Sequence, residues 1–179
     1  MFKKIILAAI LVLAFVGCNQ KTLTVEETPT HEHTQEHMHQ KPPVMFQTVD
    51  EKDAVLVQEG KEKYHCHQCG MNLVKFYKTS YIAEDQTRKY QYCSIHCLAE
   101  HLNQGVELKN PKVVEITSLK PIPVLEAYYV VGSDVRGTMT RVSKYAFKSL
   151  EAAQAFQKKH GGEIMDFNGA LKEAQKDFE

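Results

Sequence analysis

The chain has 179 residues with 22 basic and 22 acidic side chains, so its formal charge is zero. That balance, with no clustered basic face, argues against a nucleic-acid partner. The length suits one ordinary domain or two very small ones.

The first eighteen residues read MFKKIILAAILVLAFVGC. Lys3 and Lys4 precede an apolar run over 5–16 that is too short to span a bilayer comfortably, so it reads as the core of a signal peptide. Gly17 and Cys18 end it in a pattern that resembles a bacterial lipobox, with Phe15 where leucine is commoner. The expectation is that residues 1–17 are a leader and that Cys18 is lipidated; an ordinary secretory signal is the alternative. Both place the remainder outside the cytoplasm. Loss of Lys3 and Lys4 leaves that remainder at a formal charge of −2. A lipobox cysteine carries more than one acyl chain, enough for stable membrane anchoring. Asn19 in place of aspartate favours a periplasmic, outer-membrane location over the inner membrane.

Residues 18–43 are polar and carry Pro29, Pro42 and Pro43. Such a stretch buries too little to offset chain entropy and reads as a disordered tether. His31, His33, His37 and His39 lie within it, around Met38. Imidazoles on a flexible chain can wrap copper or zinc, loosely, because the ion must order the chain; a solvated linker is the alternative.

Folded structure is expected from Val44. Short strands are predicted over 44–49 and 54–58, then a hairpin of 81–84 and 89–92 about the turn Asp85-Gln86-Thr87. Ser94 should cap a helix that faces the core with Leu98 and Leu102 and closes at Gly105, followed by a strand over 113–119. Tyr90-Gln-Tyr92-Cys-Ser94-Ile95 matches Tyr145-Ala-Phe147-Lys-Ser149-Leu150 at a shift of 55. The second helix then runs to about His160 with a stripe of Leu150, Ala153 and Phe156, and Gly161-Gly162 ends it before a strand over 163–167. The fold class is therefore α+β. Two small β-β-α-β units are expected, over 44–119 and 120–179, and only the first has cysteines.

Cys66, Cys69, Cys93 and Cys97 fall in C-x-x-C-G-M and C-S-x-x-C. Two close pairs about two dozen residues apart have the spacing of a metal site. Gly70 would relieve the backbone after the first pair. The helix start near Cys93 and Cys97 should favour thiolate, and His96 and His101 share that helix. Met71 and Met139 add soft thioethers, which suit Cu(I) better than Zn(II), although core filling is the usual role of methionine. Two disulfides, a closed four-thiolate zinc site and a redox C-x-x-C pair are the competing readings.

The lipobox Cys18, Cys66-His-Gln-Cys69-Gly70-Met71, Tyr92-Cys93-Ser94-Ile95-His96-Cys97 and Tyr129-Val-Val-Gly132-Ser133 with Met139 resemble the NosL family. Ala146-Phe147, Ala155-Phe156 and Gly161-Gly162-Glu163 continue the likeness, which covers roughly residues 62–170. It implies a lipoprotein of nitrous oxide reductase maturation in denitrification, with two units like those of the alkylmercury lyase MerB. It further implies Cu(I) delivery to that enzyme or its assembly machinery, with Cys69 and Met71 as leading ligands and Met139 next. Four thiols and a histidine-rich tether depart from the sparser family pattern. The first unit also resembles TRASH and YHS modules, which would mean metal sensing, storage or scavenging, with zinc or copper and without a dedicated client.

The sequence thus points to a non-enzymatic copper chaperone with Cys66, Cys69, Met71, Cys93, Cys97, Met139 and His96 as the candidate ligands. A thiol-disulfide exchanger or a carbon–metal lyase is the enzyme alternative. A lyase needs a placed acid, and nothing in the spacing of Glu84 or Asp85 marks either. A zinc module that only docks partners is a third reading.

Overall fold

The computed structural model describes residues 45–179. The leader, Cys18 and the tether histidines His31, His33, His37 and His39 lie outside the described residues. No helix among the described residues is long and apolar enough to cross a membrane.

Two antiparallel sheets carry the fold. β1 (Tyr81–Glu84) and β2 (Lys89–Tyr92) form the expected hairpin, with Tyr81 opposite Tyr92. Asp85 Oδ1 accepts from the Thr87 and Arg88 N–H groups and closes its turn. Helix α1 (Ile95–Asn103) follows, and Ser94 Oγ accepts from the Cys97 N–H as its N-cap. The chain returns as β3 (Lys109–Val114) on the far side of β1, and β4 (Pro121–Pro123) completes the order β2-β1-β3-β4.

The plan then repeats. β5 (Tyr128–Val131) pairs with β6 (Lys144–Phe147), and Ser149 caps α2 (Leu150–His160) by accepting from the Ala152 N–H. β7 (Glu163–Met165) then lies on the other side of β5, giving the order β6-β5-β7. Both halves contain a β-β-α-β core, but the first sheet runs past the expected boundary at residue 119, because β4 pairs with β3 and adds a fourth strand to it. A parallel bridge between Glu115 and Ala146 joins them, and one buried cluster draws on both, from Cys66 and Leu98 to Tyr129 and Ala170.

Four local expectations are corrected. Of the strands expected over 44–49 and 54–58, the described residues 45–49 and 54–58 form neither; a 3-10 turn at Glu51–Asp53 separates them. The second stretch is fastened at the outer strand β2 by side chains. Val57 N–H donates to Gln91 Oε1, and Gln91 Nε2 donates to the Val55 carbonyl. Those contacts cover part of an edge that would otherwise be open to pairing. β3 starts and ends earlier than 113–119, because the Glu115 carboxylate takes the N–H groups of Thr117 and Ser118 and turns the chain. The last strand stops at Met165, where Asp166 caps a helix the sequence reading missed, α3 (Phe167–Gln175). Ala170 and Ala174 of α3 are fully buried, and the helix packs against α1 and β5. Leu150 is exposed, so the α2 stripe rests on Ala153 and Phe156.

Candidate metal centre

The C-x-x-C segment folds back on itself as a knuckle. Cys66 N–H donates to the Met71 carbonyl at 2.8 Å, and Gly70 N–H donates to the Cys66 carbonyl at 2.9 Å. Gly70 sits at φ +73°, a left-handed conformation that a side chain would strain. The knuckle presents Cys66 and Cys69 to the start of α1, where Cys93 and Cys97 stand. Capping by Ser94 fixes that start: Cys93 lies between β2 and the cap, Cys97 lies in the first turn, and their sulfurs meet at 3.7 Å.

The four sulfur ligands all lie within 4.8 Å of one another. Cys69 Sγ is 3.5 Å from Cys93 Sγ, which is 3.7 Å from Cys97 Sγ. These are contacts between free thiols, not disulfides. A tetrahedral ion with sulfur bonds near 2.3 Å spaces its ligands about 3.8 Å apart, close to the two shortest of these separations. Cys66, Cys93 and Cys97 are 3%, 0% and 0% exposed, whereas Cys69 reaches the surface.

Cys66 is the thiol whose surroundings most favour ionisation. Hydrogen bonds from the Cys93 and Cys97 side chains, with backbone bonds from Cys69 and Cys93, hold the Cys66 thiol far below its ordinary range. Cys93 and Cys97 are pushed up, first because their protons are held against Cys66 and then by burial. Burial also raises Cys69. The upward push at Cys93 and Cys97 runs against the thiolate that the helix start was expected to favour there. A cation that binds these sulfurs as thiolates releases the protons they still carry.

The other sequence-predicted residues are placed differently. Met71 closes the knuckle through its carbonyl, and its side chain packs on the cluster that holds Cys66, Cys93 and Cys97. His96 is not among the converging ligands; its ring stacks on Phe178 at 4.5 Å, with Nδ1 3.6 Å from Asp177 Oδ2. One residue before Cys97 on a helix is about 100° away from it, which turns His96 toward the C-terminal turn. Met139 lies on the long loop between β5 and β6, in a groove that none of the four cysteines lines. His101 is buried with Nδ1 2.7 Å from the Tyr92 hydroxyl, and its ring lies 4.9 Å from that of His67.

Sequence reasoning missed the groups that brace this site. The Thr79 hydroxyl is 2.8 Å from the Cys93 carbonyl oxygen and 2.7 Å from the Thr138 hydroxyl, so it ties the sulfur-bearing half to the long loop of the other. Nothing local in sequence marks a contact across 59 residues.

Fold and site together define an α+β scaffold that carries a four-cysteine cluster built like a metal site. The NosL family model matches residues 57–174, and the chain belongs to that family. In three dimensions it is similar to the copper chaperone NosL from Shewanella denitrificans, with a TM-score of 0.50 and 24% identity. That match covers 62% of this chain and 92% of the other. Among curated proteins none matches the chain significantly.

Proposed function

We propose that the protein is a copper chaperone that holds Cu(I) on the Cys66, Cys69, Cys93 and Cys97 sulfurs, with Met71 beside them, and passes it to nitrous oxide reductase or its assembly machinery. One observation carries this: three of the four clustered sulfurs are buried and the fourth, Cys69, opens to solvent. Soft thiolates suit Cu(I), and an ion held by two or three of these sulfurs at a time keeps an open position for an acceptor's ligand to attack. The exposed Cys69 is where that attack would begin, while the buried three retain the ion until it is complete. No turnover is involved. The lipobox-like Cys18 would anchor the protein at the periplasmic face of a membrane, the outer one by the Asn19 argument, within reach of a periplasmic client.

The sulfur spacing favours a second reading, a closed four-thiolate zinc site that steadies the first half. Competition titration of the reduced chain from residue 19 separates the two. Cu(I) is expected to displace Zn(II), and Cys69→Ser and Met71→Leu are each expected to weaken Cu(I) binding. Unaltered affinity in both variants, or Zn(II) retained against Cu(I), would overturn the chaperone reading. Copper transfer from loaded protein to copper-free nitrous oxide reductase tests the client.

A further inference from the structure

The four sulfurs differ in what can reach them. Cys66 is 3% exposed and Cys93 and Cys97 are 0% exposed, so a thiol of another molecule meets none of the three first. Cys69 alone of the four stands at the surface. Its Sγ is 3.5 Å from Cys93 Sγ, a shorter contact than the 3.7 Å between Cys93 and Cys97.

Sequence spacing would pair Cys66 with Cys69 as a C-x-x-C disulfide. The knuckle turns Cys69 toward Cys93 instead, because its own backbone bonds, Cys66 N–H to the Met71 carbonyl and Gly70 N–H to the Cys66 carbonyl, fix the fold of the segment. Cys93 is held in turn, since its carbonyl accepts from the Thr79 hydroxyl at 2.8 Å. A disulfide needs the sulfurs about 2.05 Å apart, so closure asks for an approach of roughly 1.5 Å, which the surface residue Cys69 can make.

We propose that the cage is also a thiol–disulfide exchange site. Cys69 and Cys93 close as a disulfide when no ion is bound, and a dithiol exchange protein opens the bond through Cys69 before copper loads. The disulfide follows from sulfur geometry, and its place before loading rests on the copper reading. The signal-like residues 1–17 predict an oxidising compartment, where disulfides form and persist. Closure turns the Cys69 and Cys93 thiols into one S–S bond, and a disulfide of the surroundings takes up the two electrons and two protons as two thiols. Opening runs the other way. A partner thiolate attacks Cys69 Sγ, the S–S bond breaks, and Cys93 leaves as a thiolate. The partner's second thiolate then attacks the partner sulfur of the mixed disulfide, and Cys69 leaves. The two protons given up by the partner's thiols end on Cys69 and Cys93, and the partner departs as a disulfide. Copper and oxidation compete for the same sulfurs, so a bound ion opposes closure and a closed bond removes two of the four ligands.

The test treats the reduced, ion-free chain from residue 19 with oxidised glutathione, caps the remaining thiols in acid and locates the bridge by mass spectrometry. The Cys69–Cys93 bond is expected as the main product, formed at least tenfold faster than any bridge in Cys69→Ser. One equivalent of Cu(I) is expected to slow closure at least tenfold. Thioredoxin lacking its second active-site cysteine serves as the probe of opening, and it is expected to be trapped as a mixed disulfide on Cys69. The closed chain is expected to load no Cu(I) in the cage until dithiothreitol reopens it. A main bridge of Cys66 with Cys69 or of Cys93 with Cys97, or trapping on any cysteine but Cys69, would overturn the exchange site. So would Cu(I) uptake by the closed chain equal to that of the reduced chain. A reduced chain that takes up no Cu(I), while the Cys69–Cys93 bond still forms on oxidation, would instead overturn the copper reading, so the two failures are distinguishable.

Discussion

The two halves of the molecule share a topology and differ in what they carry. Each has a hairpin, a serine-capped helix and a return strand beside the first strand of its hairpin. Ser94 and Ser149 perform the same capping, on Cys97 in one half and on Ala152 in the other. Where the first half has Cys93 and Cys97, the second has Lys148 and Ala152. The loop between paired strands is short at 85–88 and long at 132–143, and the long one carries Met139. The scaffold alone therefore does not make the site. The first half adds the knuckle at 64–72, a bridge of His65 with Asn72 that delivers Cys66 and Cys69 to the helix start. The second half has no such segment before β5, and its contribution is a brace and a presented loop.

Breaking the comparison at the cysteines should give the largest effect. Cys93→Ser and Cys97→Ser remove fully buried sulfurs, and each should lower Cu(I) affinity by more than the roughly 10–100-fold typical of outer-shell changes, measured by competition titration. The reciprocal variant, Lys148→Cys with Ala152→Cys, should gain no tight site, because no knuckle supplies the other two ligands. Tight binding there would show that the helix start suffices.

A smaller effect is expected where the second half is tightly closed. Gly162 has φ +94°, and a Cβ would meet the Val131 carbonyl oxygen at 2.7 Å. Gly162→Ala should cost about 1–3 kcal/mol in chemical denaturation while leaving the affinity for the first Cu(I) unchanged. The caps sharpen the comparison further. Ser94→Ala and Ser149→Ala should each cost about 1 kcal/mol, but only the former should also weaken Cu(I) binding, since its helix start positions two thiols.

Much of this contrast was legible in the chain. The repeat at a shift of 55 held because both of its serines are helix caps, a local signal that tertiary packing did not override. The four cysteines were legible because ligand spacing in sequence translates directly into a knuckle and a helix turn. Helix α3 was missed because its apolar positions are small; Ala170 and Ala174 bury completely yet give little periodic signal. The stretch 54–58 misled for the opposite reason: its apolar run Ala-Val-Leu-Val between charged turns is that of a strand, yet Gln91 and Gln58 occupy the hydrogen bonds a ladder would use. His96 was placed among the ligands on proximity in sequence, whereas helix geometry turns it toward Asp177 and Phe178.

The smallest expected effect lies at the seam between the halves. Glu115 bridges to Ala146, and Ile116 N–H donates to the Ala146 carbonyl at 3.1 Å. Burial works to raise the Glu115 carboxyl, but bonds from Ser118 and Thr117 outweigh it and hold the group below its ordinary 4.5. A lowered carboxylate contributes its full stability above that ordinary value and loses it as pH falls through the lower folded value. Thermal stability should therefore decline below about pH 4.5, and Glu115→Gln should flatten part of that decline.

X-ray absorption at the copper edge reads the ligand atoms themselves, on the reduced chain from residue 19 loaded with one equivalent of Cu(I). A first shell of sulfur alone is expected, with a reduced sulfur count in Cys69→Ser. A shell dominated by imidazole nitrogen, or one unaltered by loss of any of the four cysteines, would contradict it.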